Sequence, residues 1–197
     1  MDKGLNKADF LNKVIRILEN KNDRICVFLS YKSEDRVACR EIAEYFKNAN
    51  IDYYLDEIDD DLQIAVIAEN PEQITEHIKT GIRSSTHMLV VISEKTFKSP
   101  WIPFEVGYGH ASILDKYDKD EIKENKINLS ILTLKDISEI SLPDFMFTAY
   151  IIRGTKSLND YIAKISKKLE KSLINENLII PYTKETHPLD VFLNWKL

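Results

Sequence analysis

Two short apolar runs constrain the fold of this chain more than any other feature. Ile25-Cys26-Val27-Phe28-Leu29 and Met88-Leu89-Val90-Val91-Ile92 are continuous, without the polar alternation of a strand that has one face in water. They are too short for buried helices, so they read as strands covered on both faces, the pattern of a parallel sheet with helices packed on each side. The sequence between and after them agrees. Val37, Ala38, Ile42, Ala43, Tyr45 and Phe46 have helical spacing within Arg36–Ala49, Ile51–Leu55 reads as a second strand, and Ile74, Ile78 and Ile82 mark a helix before the third. Another helix opens near Ser99-Pro100 and runs to about Tyr117. Asn128–Leu132 and Tyr150–Ile152 supply the fourth and fifth strands, and Leu158, Ile162, Ile165, Leu169 and Leu173 the apolar stripe of a helix over Ser157–Leu173.

Strand and helix alternate, which predicts right-handed βαβ units. The expected architecture is α/β: one doubly wound domain over residues 23–175, with a flavodoxin-like, five-stranded parallel sheet and helices on both faces. A helical extension (residues 1–22) precedes it, with Phe10, Leu11, Val14, Ile15 and Leu18 on one apolar face. Residues 176–197 form a C-terminal extension, in which Phe192 and Trp195 supply aromatic surface for docking. The acidic run Asp56–Asp61 opens a long loop, with a short helix within Ile64–Ala68.

Charge narrows the function classes. Lys and Arg (27) against Asp and Glu (32) leave a formal charge of −5, which argues against a partner that is nucleic acid or an anionic membrane. No apolar run approaches the ~20 residues of a spanning helix. Met1-Asp2-Lys3-Gly4 lacks the basic-then-apolar pattern of a signal peptide, so a cytoplasmic location is expected. Cys26 and Cys39 are too few for a disulfide framework or a four-ligand cysteine site, and no histidine pairs with them at ligand spacing. The Asp56–Asp61 run lacks the glycine and glutamate of a calcium loop, so no metal is expected. There is no Gly-x-Ser-x-Gly elbow and no Walker lysine loop. Gly107-Tyr108-Gly109 begins like a dinucleotide fingerprint but does not follow a strand directly, and reads as close packing of helix on sheet.

In sheets of this kind ligands bind beyond the carboxyl ends of the strands. The loop after the third strand carries the most chemistry. Trp101 and Glu105 are four residues apart, hence on one face of a helix, and Glu105 is expected in the first turn, where the helix dipole favours the ionised carboxylate. An aromatic plate beside a fixed anion suits a ligand that is flat at one end and develops positive charge at the other. The same two residues also fit an ordinary helix start with a core tryptophan and a dipole-satisfying glutamate. After the first strand, Ser30 and Tyr31 place a hydroxyl and an aromatic ring at the sheet edge, while Ser33 or Asp35 suits a helix cap.

Val27-Phe28-Leu29-Ser30-Tyr31, with Asp35 before a helix, resembles the first sequence box of Toll/interleukin-1 receptor (TIR) domains. Tyr53-Tyr54-Leu55-Asp56 resembles that family's second strand and the loop after it. Ile74 to Ser85, with Ile78 and Gly81-Ile82-Arg83-Ser84-Ser85, is similar to the passage into its third strand. Ser99-Pro100-Trp101 and Phe104-Glu105-Val106-Gly107 resemble the segment with the family's WxxxE-type glutamate. The likeness spans Ile25 to Ala111, and its four boxes fall in order; the acidic second-strand loop departs from the usual pattern in lacking proline and glycine.

Many bacterial and plant TIR domains cleave the nicotinamide–ribose bond of NAD+. The resemblance therefore implies that Glu105 is the catalytic carboxylate and Trp101 the aromatic that holds a ring of the dinucleotide. It also implies that Phe28, Ser30 and Tyr31 form pocket wall, and that Asp56 enters the second-strand loop beside them. NAD+ is then a substrate, and no cofactor is implied. A single carboxylate suffices, because nicotinamide leaves as a neutral molecule from a cationic ring and needs no general acid, unlike the leaving group of an ordinary glycosidase. The chain looks like the stand-alone bacterial TIR proteins of antiphage defence, such as those of Thoeris systems, whose diffusible cyclic product activates a separate effector. Self-association through TIR surfaces is also implied. Two alternatives stay open: a non-catalytic TIR oligomerisation module, and a nucleoside deoxyribosyltransferase-like enzyme.

Overall fold

The computed structural model describes residues 3–19, 24–115, 125–135, 137, 142–182 and 187–195. Its centre is a five-stranded, all-parallel sheet of β1 (Cys26–Ser30), β2 (Asp52–Tyr54), β3 (His87–Ile92), β4 (Leu129–Thr133) and β5 (Tyr150–Ile152), in the order β2-β1-β3-β4-β5. Phe28 pairs with Tyr54 on one side and Met88 on the other, and Ile92 with Thr133. The predicted doubly wound, flavodoxin-like α/β class is the observed one.

β1 and β3 are buried along their whole length, with Ile25 partly buried just before β1, and each strand divides its residues between two cores. Val27, Leu29, Leu89 and Val91 face a core closed by α2 (Arg36–Asn48) and α6 (Thr155–Ser166). Cys26, Phe28, Met88, Val90 and Ile92 face a second core closed by α4 (Pro71–Arg83) and α5 (Trp101–Gly109). Two glycines permit the second core. A Cβ on Gly81 of α4 would lie 2.7 Å from the Tyr54 ring and 2.9 Å from that of Phe28, and one on Gly109 would lie 2.3 Å from Met88 Sδ. Gly107 meets nothing within 4 Å, so Gly109 alone carries the close packing expected of the pair.

Several local expectations are corrected. The loop after β2 holds a full helix, α3 (Asp60–Ile67), which Asp59 caps by accepting from Leu62 N at 3.1 Å. The helix expected over Ser157–Leu173 is two, α6 and α7 (Glu170–Asn175), because Lys167 turns left-handed (φ 53°) and ends the first. Beyond Gly109, α5 widens into a π-helical turn, His110–Leu114; its expected end at Tyr117 lies outside the described residues.

The N-terminal helix, α1 (Phe10–Leu18), turns its apolar face outward. Its one fully buried side chain is Arg16, whose guanidinium forks onto Asp52 of β2 (Nη2–Oδ1 2.7 Å, Nε–Oδ2 2.9 Å), while Phe10, Leu11 and Leu18 face outward. Before it, Leu5 O accepts from Tyr53 N at 3.0 Å and Lys7 N donates to Tyr53 O at 2.7 Å, so the segment covers the open edge of β2. At the other end of the chain Leu189 and Leu193 are buried in the first core, and Thr155 N donates to Asn194 O at 2.8 Å. No helix among the described residues is long and apolar enough to cross a membrane.

Candidate functional site

The strand order reverses between β1 and β3, the place where open α/β sheets hold ligands. A cavity of about 440 Å³ opens there, within the roughly 300–1,000 Å³ usual for small-molecule sites. Tyr31 from the end of β1, Asp56 from the end of β2, and Trp101 and Glu105 from α5 all line it. Leu62 and Val66 of α3 and Ile74 and Ile78 of α4 supply its apolar wall.

Helix α5 begins at Trp101, with Pro100 at its N-cap. Pro103 is tolerated as the third helical residue because a backbone N–H there would have no partner within the helix. Glu105 is the fifth residue, beyond the first turn, so the expectation that the helix dipole keeps it ionised does not hold. It is 8% exposed, and Ser30 Oγ donates to its Oε2 at 2.5 Å. No ion pair to it is formed among the described residues. Burial pushes the Glu105 carboxyl up to about 8; the Ser30 hydrogen bond opposes this, and the negative charge of Asp56 adds to it. At neutral pH the site therefore holds a largely protonated acid, not the permanently ionised one the sequence led us to expect.

Trp101 and Glu105 share one face, as the spacing requires. The indole is half-buried, edge-on to Phe104 (centroids 6.0 Å apart, 81° between planes), and it packs against the second core while lining the cavity. Both sequence readings of this tryptophan thus describe part of its surroundings. Burial, and then the negative charges of Asp56 and Glu57, hold the Tyr31 phenol well above its ordinary range. Burial likewise raises Asp56, against the pull of the Tyr31 hydrogen bond.

Two expected wall residues lie elsewhere. Phe28 is not on the cavity wall; it stacks on Tyr54 (centroids 5.5 Å apart) inside the second core, because the alternation of β1 points residue 28 between the sheet and α4. Ser30 lies one step beyond the wall and reaches the cavity only through Glu105. Asp35 makes no side-chain cap to α2; it accepts from Ser93 Oγ and pairs with Lys95 at 3.2 Å, tying β1 and β3 together at their carboxyl ends. His110 pairs with Asp115 at 2.9 Å and does not line the cavity.

Sequence reasoning missed the cationic part of the wall, Lys32, Arg36 and Arg40, and the acid Glu57 beside it. The signal was present: two arginines one turn apart at the start of the helix that follows the first strand. Asp59, Asp61 and His77 bring one possible metal-ligand atom each within 4.8 Å of one another. Asp59 is already engaged, capping α3 and accepting from the Tyr54 hydroxyl, and the positive end of a helix disfavours a cation.

A family model described as TIR domain matches residues 27–125, a span that takes in all but the first residue of β1, together with Asp56, Trp101 and Glu105. None of the curated proteins matches the chain.

Proposed function

Since this chain belongs to the TIR-domain family, we propose that its cavity binds NAD+ and that Glu105 promotes cleavage of the nicotinamide–ribose bond. TIR domains serve as NAD+ hydrolases or as signalling modules, and they self-associate. The observation that carries the enzymatic reading is a buried glutamate, free of any cationic partner among the described residues, on the same cavity wall as an indole.

The raised pKa of Glu105 fits this chemistry through the charge of the substrate. A pyridinium riboside seated beside Glu105 favours the carboxylate, so binding releases the proton that burial had retained. The bond from ribose C1′ to the ring nitrogen then breaks, and its electron pair neutralises the pyridinium. Glu105, buried and held by Ser30, faces the positive charge that develops on C1′. Capture by water gives ADP-ribose and a proton; capture by a nucleophile within the product gives a cyclic nucleotide. Trp101 offers the flat surface for a ring of the dinucleotide.

The reading extends to a cytoplasmic protein that self-associates and, in bacterial antiphage defence, makes a cyclic ADP-ribose-derived signal for a separate effector. The test is incubation of concentrated protein with NAD+, and with deoxynucleosides in parallel, followed by chromatography of the products. Nicotinamide with ADP-ribose or a cyclic isomer supports the proposal. Turnover of deoxynucleosides alone selects the transferase alternative, and assembly without any turnover selects the signalling module.

A further inference from the structure

Bond cleavage at Glu105 leaves the cationic wall without a role. Arg36 and Arg40 stand one turn apart on α2, and both line the cavity with side chains more than half exposed (53% and 58%). They converge on one carboxylate: Arg40 Nε donates to Glu57 Oε1 at 2.6 Å, and Arg36 Nε lies 3.4 Å from Oε2. Glu57 is 12% exposed, lies in the single turn Asp56–Ile58 that follows β2, and lines the same cavity. Its Oε2 has no hydrogen-bond partner, so Arg36 meets this carboxylate by charge alone, and only Arg40 hydrogen-bonds it. A guanidinium pair matches an anion with more oxygens and more charge than a carboxylate, above all phosphate.

We infer that Arg36 and Arg40 form a subsite for the diphosphate of a dinucleotide, and that Glu57 is an internal anion occupying this subsite until the ligand arrives. The inference rests on the NAD+ reading of the cavity and adds the part of the ligand that Trp101 and Glu105 do not address. Lys32, paired with exposed Glu34 at 3.5 Å, adds positive charge to the same wall. Displacing Glu57 frees the turn that leads into α3, and Leu62, Gln63 and Val66 of α3 line the cavity. Filling the subsite is thereby coupled to the position of the α3 wall.

The experiment is calorimetric titration of inorganic pyrophosphate, ADP-ribose and adenosine into wild-type protein, the Arg36→Gln/Arg40→Gln double variant and Glu57→Gln, with circular dichroism to verify folding. The double variant should bind pyrophosphate and ADP-ribose roughly tenfold or more weakly. Glu57→Gln should bind both severalfold more tightly, and adenosine should bind all three proteins alike. Unchanged pyrophosphate and ADP-ribose affinities in the double variant would overturn the inference. So would weaker binding by Glu57→Gln, or no pyrophosphate binding by either wild type or Glu57→Gln. None of these titrations needs turnover. A protein that binds pyrophosphate through the arginines yet releases no nicotinamide contradicts the proposed function alone. Nicotinamide release with the same KM for NAD+ in the double variant contradicts this inference alone.

Discussion

Ser30 Oγ donates to Glu105 Oε2 at 2.5 Å, joining the last residue of β1 to the fifth residue of α5 across 75 positions of sequence. The bond spans the reversal of strand order, where the sheet opens to ligands, and is the one hydrogen bond described for a carboxyl that burial pushes up to about 8. The site is thus poised around the protonation state of Glu105, with a second buried acid, Asp56, on the same wall.

The first consequence is a pH profile. If free Glu105 must be ionised to act, kcat/KM falls about tenfold per pH unit below about 8 and levels above it, since that parameter reports the free enzyme. The kcat profile should break at lower pH, because a bound pyridinium favours the carboxylate. Steady-state rates over this range test both; a kcat/KM that does not vary with pH would exclude Glu105 as the titrating group.

Removing the hydroxyl should move that profile. The Ser30 hydrogen bond lowers the Glu105 pKa, so Ser30→Ala lets it rise further. At pH 7 kcat/KM should fall about tenfold, consistent with a charge-assisted bond of about 1.5–3 kcal/mol, and much of the loss should return at higher pH. A uniform loss at every pH would make Ser30 a packing residue instead.

The same acid sets a stability cost. Its folded pKa lies above the ordinary 4.5, so folded protein holds a proton that the unfolded chain has lost. The stabilising contribution is complete below the unfolded value and is lost as pH rises towards about 8, amounting to on the order of 3 kcal/mol at neutral pH. Glu105→Gln removes this dependence. Its Tm should exceed that of wild type by roughly 5–10 °C near pH 7.5 and by much less near the unfolded pKa. Equal Tm values across the range would contradict the assignment.

Arg16 and Asp52, 1% and 0% exposed, anchor α1 to the edge strand. Losing one partner leaves the other charge buried, so Arg16→Met should cost about 3–5 kcal/mol, and adding Asp52→Asn should recover at least half. Urea unfolding midpoints measure both; a loss under about 1 kcal/mol for the single variant would mean that water reaches Asp52.

Which of these features the sequence disclosed follows from the range of the forces involved. The strands were legible because both faces of β1 and β3 are buried, which writes an unbroken apolar run. Trp101 and Glu105 were legible because helical spacing is local. Phe28 was misplaced because its face depends on which side of the sheet carries α5, a property of the whole fold. The burial that raises Glu105 comes from elements distant in sequence and leaves no mark near residue 105. The orientation of α1 was hidden for the same reason: a buried arginine reads as surface until its partner on β2 is known. The arginines of α2 had a visible spacing, but nothing in the sequence tied them to Glu57.

The most direct measurement compares nicotinamide release from NAD+ by wild-type protein and Glu105→Gln at the same high concentration, with folding of the variant verified by its melting curve. The account predicts release by the wild type and a rate lower by about 100-fold or more in the variant, the loss expected when a transition-state charge interaction is removed. Comparable release by a folded Glu105→Gln protein, or none by the wild type in any state of assembly, would contradict it.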